Sequence, residues 1–158
     1  MKPILVRHGP HLNRPHSQNF LGSLGRTSCH DGLLMNFPGH RGPFSSSKEL
    51  HDFFMTINES LPGSSEFAAL TRRGLPDNLP IVFTHSDLHF GNILVSPTGS
   101  KLIAIIDWEG SGFYPTYWEW AKLKWLEGRR GSFFIDEILR PHMDVWKYWI
   151  EWLRCAGL

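Results

Sequence analysis

The stretch IVFTHSDLHFGNILVSPTGSKLIAIIDWE, residues 81–109, constrains the fold of this chain more than any other. Short β-branched or aromatic runs at Ile81–Phe83, Ile93–Val95 and Leu102–Ile106 read as strands, because such side chains suit a pleated, half-buried surface. Ser96, Pro97, Thr98 and Gly99 supply turn chemistry between the last two and predict a β-hairpin. Antiparallel pairing brings Asn92, at the entrance of one hairpin strand, to the same end as Asp107, at the exit of the other. Asp87 lies in the loop that feeds the hairpin, so three strands are expected to deliver their polar side chains to one place. A loop carboxylate beside an amide and a second carboxylate is an all-oxygen donor set, the kind that hard cations such as Mg²⁺ prefer. A single Asp or Asn in a loop is ordinarily a turn or cap residue. Their joint spacing is what points to chemistry.

Length and charge bound the rest. A chain of 158 residues is one domain by size and can bury a sizeable core. Its net charge of +1 argues against a nucleic-acid surface, and no apolar run approaches membrane-spanning length, so neither partner is expected. Cys29 and Cys155 are far apart and form no CxxC, which implies neither a zinc site nor a disulfide framework. The apolar run in MKPILVRHGP is too short for a secretory signal, and the expected setting is cytoplasmic. Seven Trp and eleven Phe predict that the C-terminal half holds most of the core.

Residues 1–45 are rich in Gly, Pro, His, Asn and Ser and read as an irregular, loosely packed leader, with residues 46–158 as the domain proper. The leader holds FLGSLGRTSCHDG, which lacks the Lys-Ser/Thr ending of a phosphate-cradling loop. Ser46 and Glu49 form a capping box, and Leu50, Phe53, Phe54, Ile57 and Leu61 continue at helical spacing until Pro62 and Gly63 stop the helix. A short helix and a Pro-bounded loop follow over residues 62–80, where Arg72 and Arg73 read as solvated surface. Gly110 and Gly112 mark a loop after Asp107, with Glu109 either a further carboxylate near a metal or part of a surface turn. Pro115 fits the first turn of a buried aromatic helix reaching about Gly128, with further helices expected over 132–140 and 143–155.

The motifs also carry a family resemblance. The spacing HxDxxxxN, followed fifteen residues after the Asn by an Asp at a strand end, resembles the core of kinase-like phosphotransferases. HSDLHFGNIL followed by IIDWEGSGFYPTYWEWAK resembles the aminoglycoside phosphotransferase and choline kinase group, most closely its fungal members. That resemblance implies an α+β fold: a protein-kinase-like large lobe, mostly helical, with a small β-hairpin carrying the catalytic and metal loops. It implies ATP and a small-molecule hydroxyl acceptor as partners and Mg²⁺ as cofactor. Asp87 would accept the substrate hydroxyl proton, His85 would brace the loop, and Asn92 and Asp107 would hold Mg²⁺ against the nucleotide phosphates. Such enzymes clamp the nucleotide with a strand Lys in a smaller N-terminal lobe. Before residue 81 there are only Lys2 and Lys48, neither in such a strand, so the expectation is a large lobe without that N-terminal lobe, open to self-association or to a separate partner lobe.

Three other readings compete. A non-catalytic fold remnant or binding module would use the aromatic-rich cleft alone. Metal-dependent hydrolysis would use the alternating His85, Asp87 and His89, although zinc sites usually need further ligands. The run ILVRHGP resembles the opening of histidine phosphatases, with Arg7 and His8 in the anion-binding and nucleophile roles, but no second segment of that family follows.

Overall fold

A computed structural model describes residues 20–37, 39–59 and 65–123, together with residues 145, 148, 149 and 153. Arg7, His8, Cys155, the expected helix over 132–140 and the Leu61–Gly63 helix stop lie outside the described residues. The architecture is α+β. Helix α1, Ser47–Glu59, and helix α2, Ser65–Gly74, precede a mixed region of short antiparallel strands. A helical segment over 118–123, called α3 here, follows, and residues 145, 148, 149 and 153 are also helical, as expected for the last helix.

Helix α1 starts where the capping signal places it. The Ser46 hydroxyl accepts the Glu49 N–H at 3.2 Å, while the Glu49 carboxylate turns back to the N–H and hydroxyl of Ser45 at 2.6 and 2.7 Å. The box is therefore closed one residue earlier than its usual form, and the Ser45 N–H holds the Glu49 carboxyl below its ordinary range. Arg72 on α2 is not idle surface. Its guanidinium reaches Asp52 on α1 at 2.7 Å and Asp77 in the following turn, and so ties the two helices together.

Among the described residues five strands make two sheets. Strand β1, Gly22–Ser23, and strand β2, Ile81–Thr84, flank strand β5, Gly112–Pro115, in one antiparallel sheet of order β1-β5-β2. Strands β3, Ile93–Val95, and β4, Leu102–Ile105, form the expected hairpin, with Ile93 opposite Ile105 and Leu94 opposite Ala104. Strand β5 pairs along β2 from Ile81↔Pro115 to Thr84↔Gly112, and it corrects one expectation. Pro115 ends that strand instead of opening a helix; it lies past the last β1 partner, where a residue without an N–H is tolerated. Strand β1 comes so close to β5 that a Cβ on Gly112 would sit 2.5 Å from the Gly22 carbonyl oxygen. Only glycine allows that approach.

The core is not confined to the C-terminal half. Leu21, Cys29, Leu33, Leu34, Phe37 and Phe44 pack in one cluster with Leu50 and Phe54 of α1 and with Tyr114, Trp118, Trp149 and Leu153. Residues 20–37 and 39–44 are largely irregular, as their composition predicts, yet Leu21, Cys29, Leu33, Leu34, Phe37 and Phe44 are buried and belong to the core. Trp118 sits at the centre, stacked on Tyr114 at 5.0 Å and on Phe54 at 6.0 Å, with Trp149 edge-on at 6.1 Å. Burial pushes the Cys29 thiol up to about 12, which makes it a packing group and not a nucleophile. Among the described residues no helix is long and apolar enough to cross a membrane.

His51, fully buried on α1, shares a 2.8 Å hydrogen bond with the Tyr117 hydroxyl. Burial lowers its pKa from 6.5 to about 4, with the Arg72 charge acting in the same direction. Between these two values the unfolded chain binds the proton and the folded chain does not, so stability rises with pH across that window and is lost on acidification. The shift corresponds to on the order of 3 kcal/mol. Thermal unfolding followed from pH 7 to pH 4 should show His51→Gln losing less stability than the unmodified chain; parallel curves would exclude His51 as the source.

Candidate active site

The loop from His85 to Asn92 is held by its own backbone. Its N–H groups have no strand partner, and Glu119 on α3 supplies one: the carboxylate accepts His85 N–H at 2.7 Å, Ser86 N–H at 3.1 Å and Leu88 N–H at 3.3 Å. Burial raises the Glu119 pKa and the three amides pull it back, the pattern of a carboxylate enclosed by peptide dipoles.

His85 works in the opposite direction across the site. Its ring nitrogen Nδ1 accepts the Asp87 N–H at 3.3 Å, and Nε2 donates to the Ile106 carbonyl at 2.9 Å, so the imidazole bridges the Asp87 loop and the segment leading to Asp107. The Trp108 indole packs on the imidazole with centroids 4.5 Å apart. With both nitrogens engaged on backbone, His85 has no lone pair left for a metal. His89 likewise spends Nδ1 on the Gly91 N–H at 3.0 Å. The alternating histidines therefore brace backbone, and among the described residues no three His, Cys, Asp or Glu side chains cluster as a metal site.

Asp87 remains accessible, its side chain 44% exposed, with His89 Nε2 3.7 Å from one carboxylate oxygen. Asn92 is buried and sits in a single 3-10 turn, Phe90–Asn92, one step before β3 rather than on the strand. Its amide nitrogen donates to the Asp87 carbonyl at 2.9 Å and lies 3.4 Å from the Asp87 carboxylate, which leaves the amide oxygen as the group able to take a cation. The Ile106 N–H donates to the Asn92 carbonyl at 2.9 Å, extending the hairpin by one rung and setting Asp107 next in line. Asp107 is exposed and has a φ of 65°, a left-handed conformation rare outside Gly, Asn and Asp. The segments that carry Asp87, Asn92 and Asp107 are thus joined through backbone contacts. An amide oxygen and a carboxylate are donor types that suit a hard cation. Glu109 is exposed in the turn beyond.

Behind the loop is a group that the sequence reading did not single out. Asp31, fully buried, accepts the Leu33 and Leu34 N–H groups at one carboxylate oxygen, at 2.8 and 3.2 Å. The other oxygen takes the Lys122 ammonium at 2.9 Å, the Trp118 indole N–H at 3.2 Å and the Ser86 hydroxyl. Ser86, directly before Asp87, has a φ of 74°. A non-glycine residue held in that region costs of order 1–3 kcal/mol and persists only where its surroundings enforce it. The available clue was that Glu119 and Lys122 interrupt the aromatic helix TYWEWAK, where charges have no solvent-facing explanation. Asp31 carried no comparable mark.

Residues 49–152 match the model of the phosphotransferase enzyme family (APH), and the chain belongs to that family. No curated protein and no solved structure matches it.

Replacing the Glu119 carboxylate by an amide removes most of the acceptor capacity for the loop amides. Glu119→Gln should cost about 1–3 kcal/mol of stability and speed amide exchange at His85, Ser86 and Leu88 ahead of the hairpin amides, as read by hydrogen-exchange NMR. Unchanged exchange at those positions would show that the carboxylate does not hold the loop.

Proposed function

We propose that this phosphotransferase moves the γ-phosphoryl group of ATP to a hydroxyl of a small molecule, and that the chain corresponds to the large lobe of a kinase-like fold of the fungal type. The observation that carries the reading is the half-exposed Asp87 carboxylate in a loop whose N–H groups are tied on one side to Glu119 and on the other to His85. A base must be reachable by substrate yet fixed in place, and this arrangement supports both requirements.

In this reading Asp87 accepts the proton of the acceptor hydroxyl as that oxygen forms its bond to the γ-phosphorus and the bond to the ADP oxygen breaks. Asn92 and Asp107 hold Mg²⁺, which supplies charge neutralisation on the phosphate oxygens. His85 moves no proton; with both nitrogens on backbone it keeps the two loops in register. The hairpin exposes Leu94, Val95, Leu102 and Ile103, an apolar surface suited to the flat base of a nucleotide or to a second lobe closing over it.

Asp87→Ala should lower phosphoryl transfer by about 10²- to 10⁴-fold, the usual contribution of a positioned base, with thermal unfolding unchanged. Asp107→Asn should abolish Mg²⁺-dependent ATP binding measured by calorimetry. Full activity in the first variant would remove Asp87 from the chemistry, and equal binding in the second would remove Asp107 from the metal.

A further inference from the structure

The family match spans residues 49–152, yet the carboxylate that touches the residue before Asp87 comes from Asp31, outside that span. Three features meet there. The Asp31 side chain is fully buried, and Lys122, its ion-pair partner, is almost as inaccessible. The Ser86 hydroxyl donates to the Asp31 carboxylate and accepts the Trp118 indole N–H at 2.8 Å, so both of its hydrogen-bonding roles are used inward. The backbone of Ser86 is left-handed, where an L side chain is disfavoured and glycine is not.

A buried ion pair is weak evidence for stability, because desolvation offsets much of the attraction. This one has a geometric consequence instead. Glu119 takes the Ser86 N–H from one direction and Asp31 takes its hydroxyl from another, so the peptide leading into Asp87 is gripped by main chain and side chain together. We infer that Asp31 is a positioning residue for the active site: anchored by Lys122 and Trp118, it clamps the Ser86 hydroxyl and holds the left-handed turn that presents Asp87. The turn that carries Asp31 then helps to position Asp87. Its value to catalysis rests on the proposed role of Asp87, whereas the clamp itself does not.

The two replacements of Ser86 separate a clamp from ordinary packing. Both Ser86→Ala and Ser86→Gly delete the hydroxyl, but only alanine keeps the penalty for a left-handed backbone, and neither disturbs the Asp31–Lys122 pair. Amide exchange in the full chain, without nucleotide or acceptor, should rise about tenfold or more at residues 86 and 87 in Ser86→Ala and stay close to the original in Ser86→Gly. Asp31→Asn should loosen the same two amides, and adding Ser86→Gly to it should restore their protection; Asp31→Asn with Lys122→Met serves if the single variant does not fold. With ATP and an accepted hydroxyl substrate, Asp31→Asn should lower kcat while leaving KM for ATP unchanged. Equal exchange in the alanine and glycine variants, or a rise spread evenly over α1 and the hairpin, would overturn the clamp. A loop that loosens and is rescued while Asp87→Ala keeps full activity would uphold the clamp and retire the catalytic reading of Asp87.

Discussion

The buried Asp31 carboxylate is the interaction on which the rest of the structure depends. It gathers two backbone N–H groups, an ammonium, an indole N–H and a hydroxyl, and so replaces with fixed donors the water lost on burial. Removing one partner of such a group typically costs about 3–5 kcal/mol because the other charge stays buried. The donors come from the 31–34 turn, from the Asp87 loop and from α3, so a single carboxylate sets how these three parts of the chain meet. Irregular backbone around Asp31 is compatible with burial because its polar groups have partners of this kind.

Glu119 and Asp31 divide the work of ordering the loop. One satisfies main-chain donors that no strand could satisfy, and the other holds a side chain. Both act on the segment that leads into Asp87, whose side chain stays partly exposed, while Asn92 is buried and Asp107 is exposed. His85 then joins the Asp87 loop to the segment leading to Asp107 through the Ile106 carbonyl, and Trp108 packs on it. Ser86 and Asp107 are both left-handed, and for Ser86 the surrounding hydrogen bonds are dense enough to enforce that backbone.

How legible this was in the sequence varied with the range of the interaction. The start of α1 and the β3–β4 hairpin were legible, with β4 ending at Ile105 and the Glu49 contact falling on Ser45, because capping, turn chemistry and strand patterning act within a few residues. That Asn92 and the segment leading to Asp107 lie at one end of the hairpin was legible for the same reason, since a tight hairpin leaves little freedom in where its ends meet. Strand β5 was missed because glycines and a proline conceal a strand whose partners, β1 and β2, are remote in sequence. Arg72 read as surface because nothing local shows that Asp52, twenty residues earlier, would face it.

The sequence by itself determined the chemistry available: which carboxylates, amide and imidazole stand at the hairpin and its feeding loop, and that they belong to a phosphotransferase. Only the tertiary structure decided how that chemistry is held. Asp31 lies 55 residues from Ser86 and 91 from Lys122, and Glu119 lies 34 from His85. No periodicity or turn preference reaches over such separations. Those contacts exist because burying the aromatic core brings the segments together, and a charge carried into that core persists only where donors already surround it.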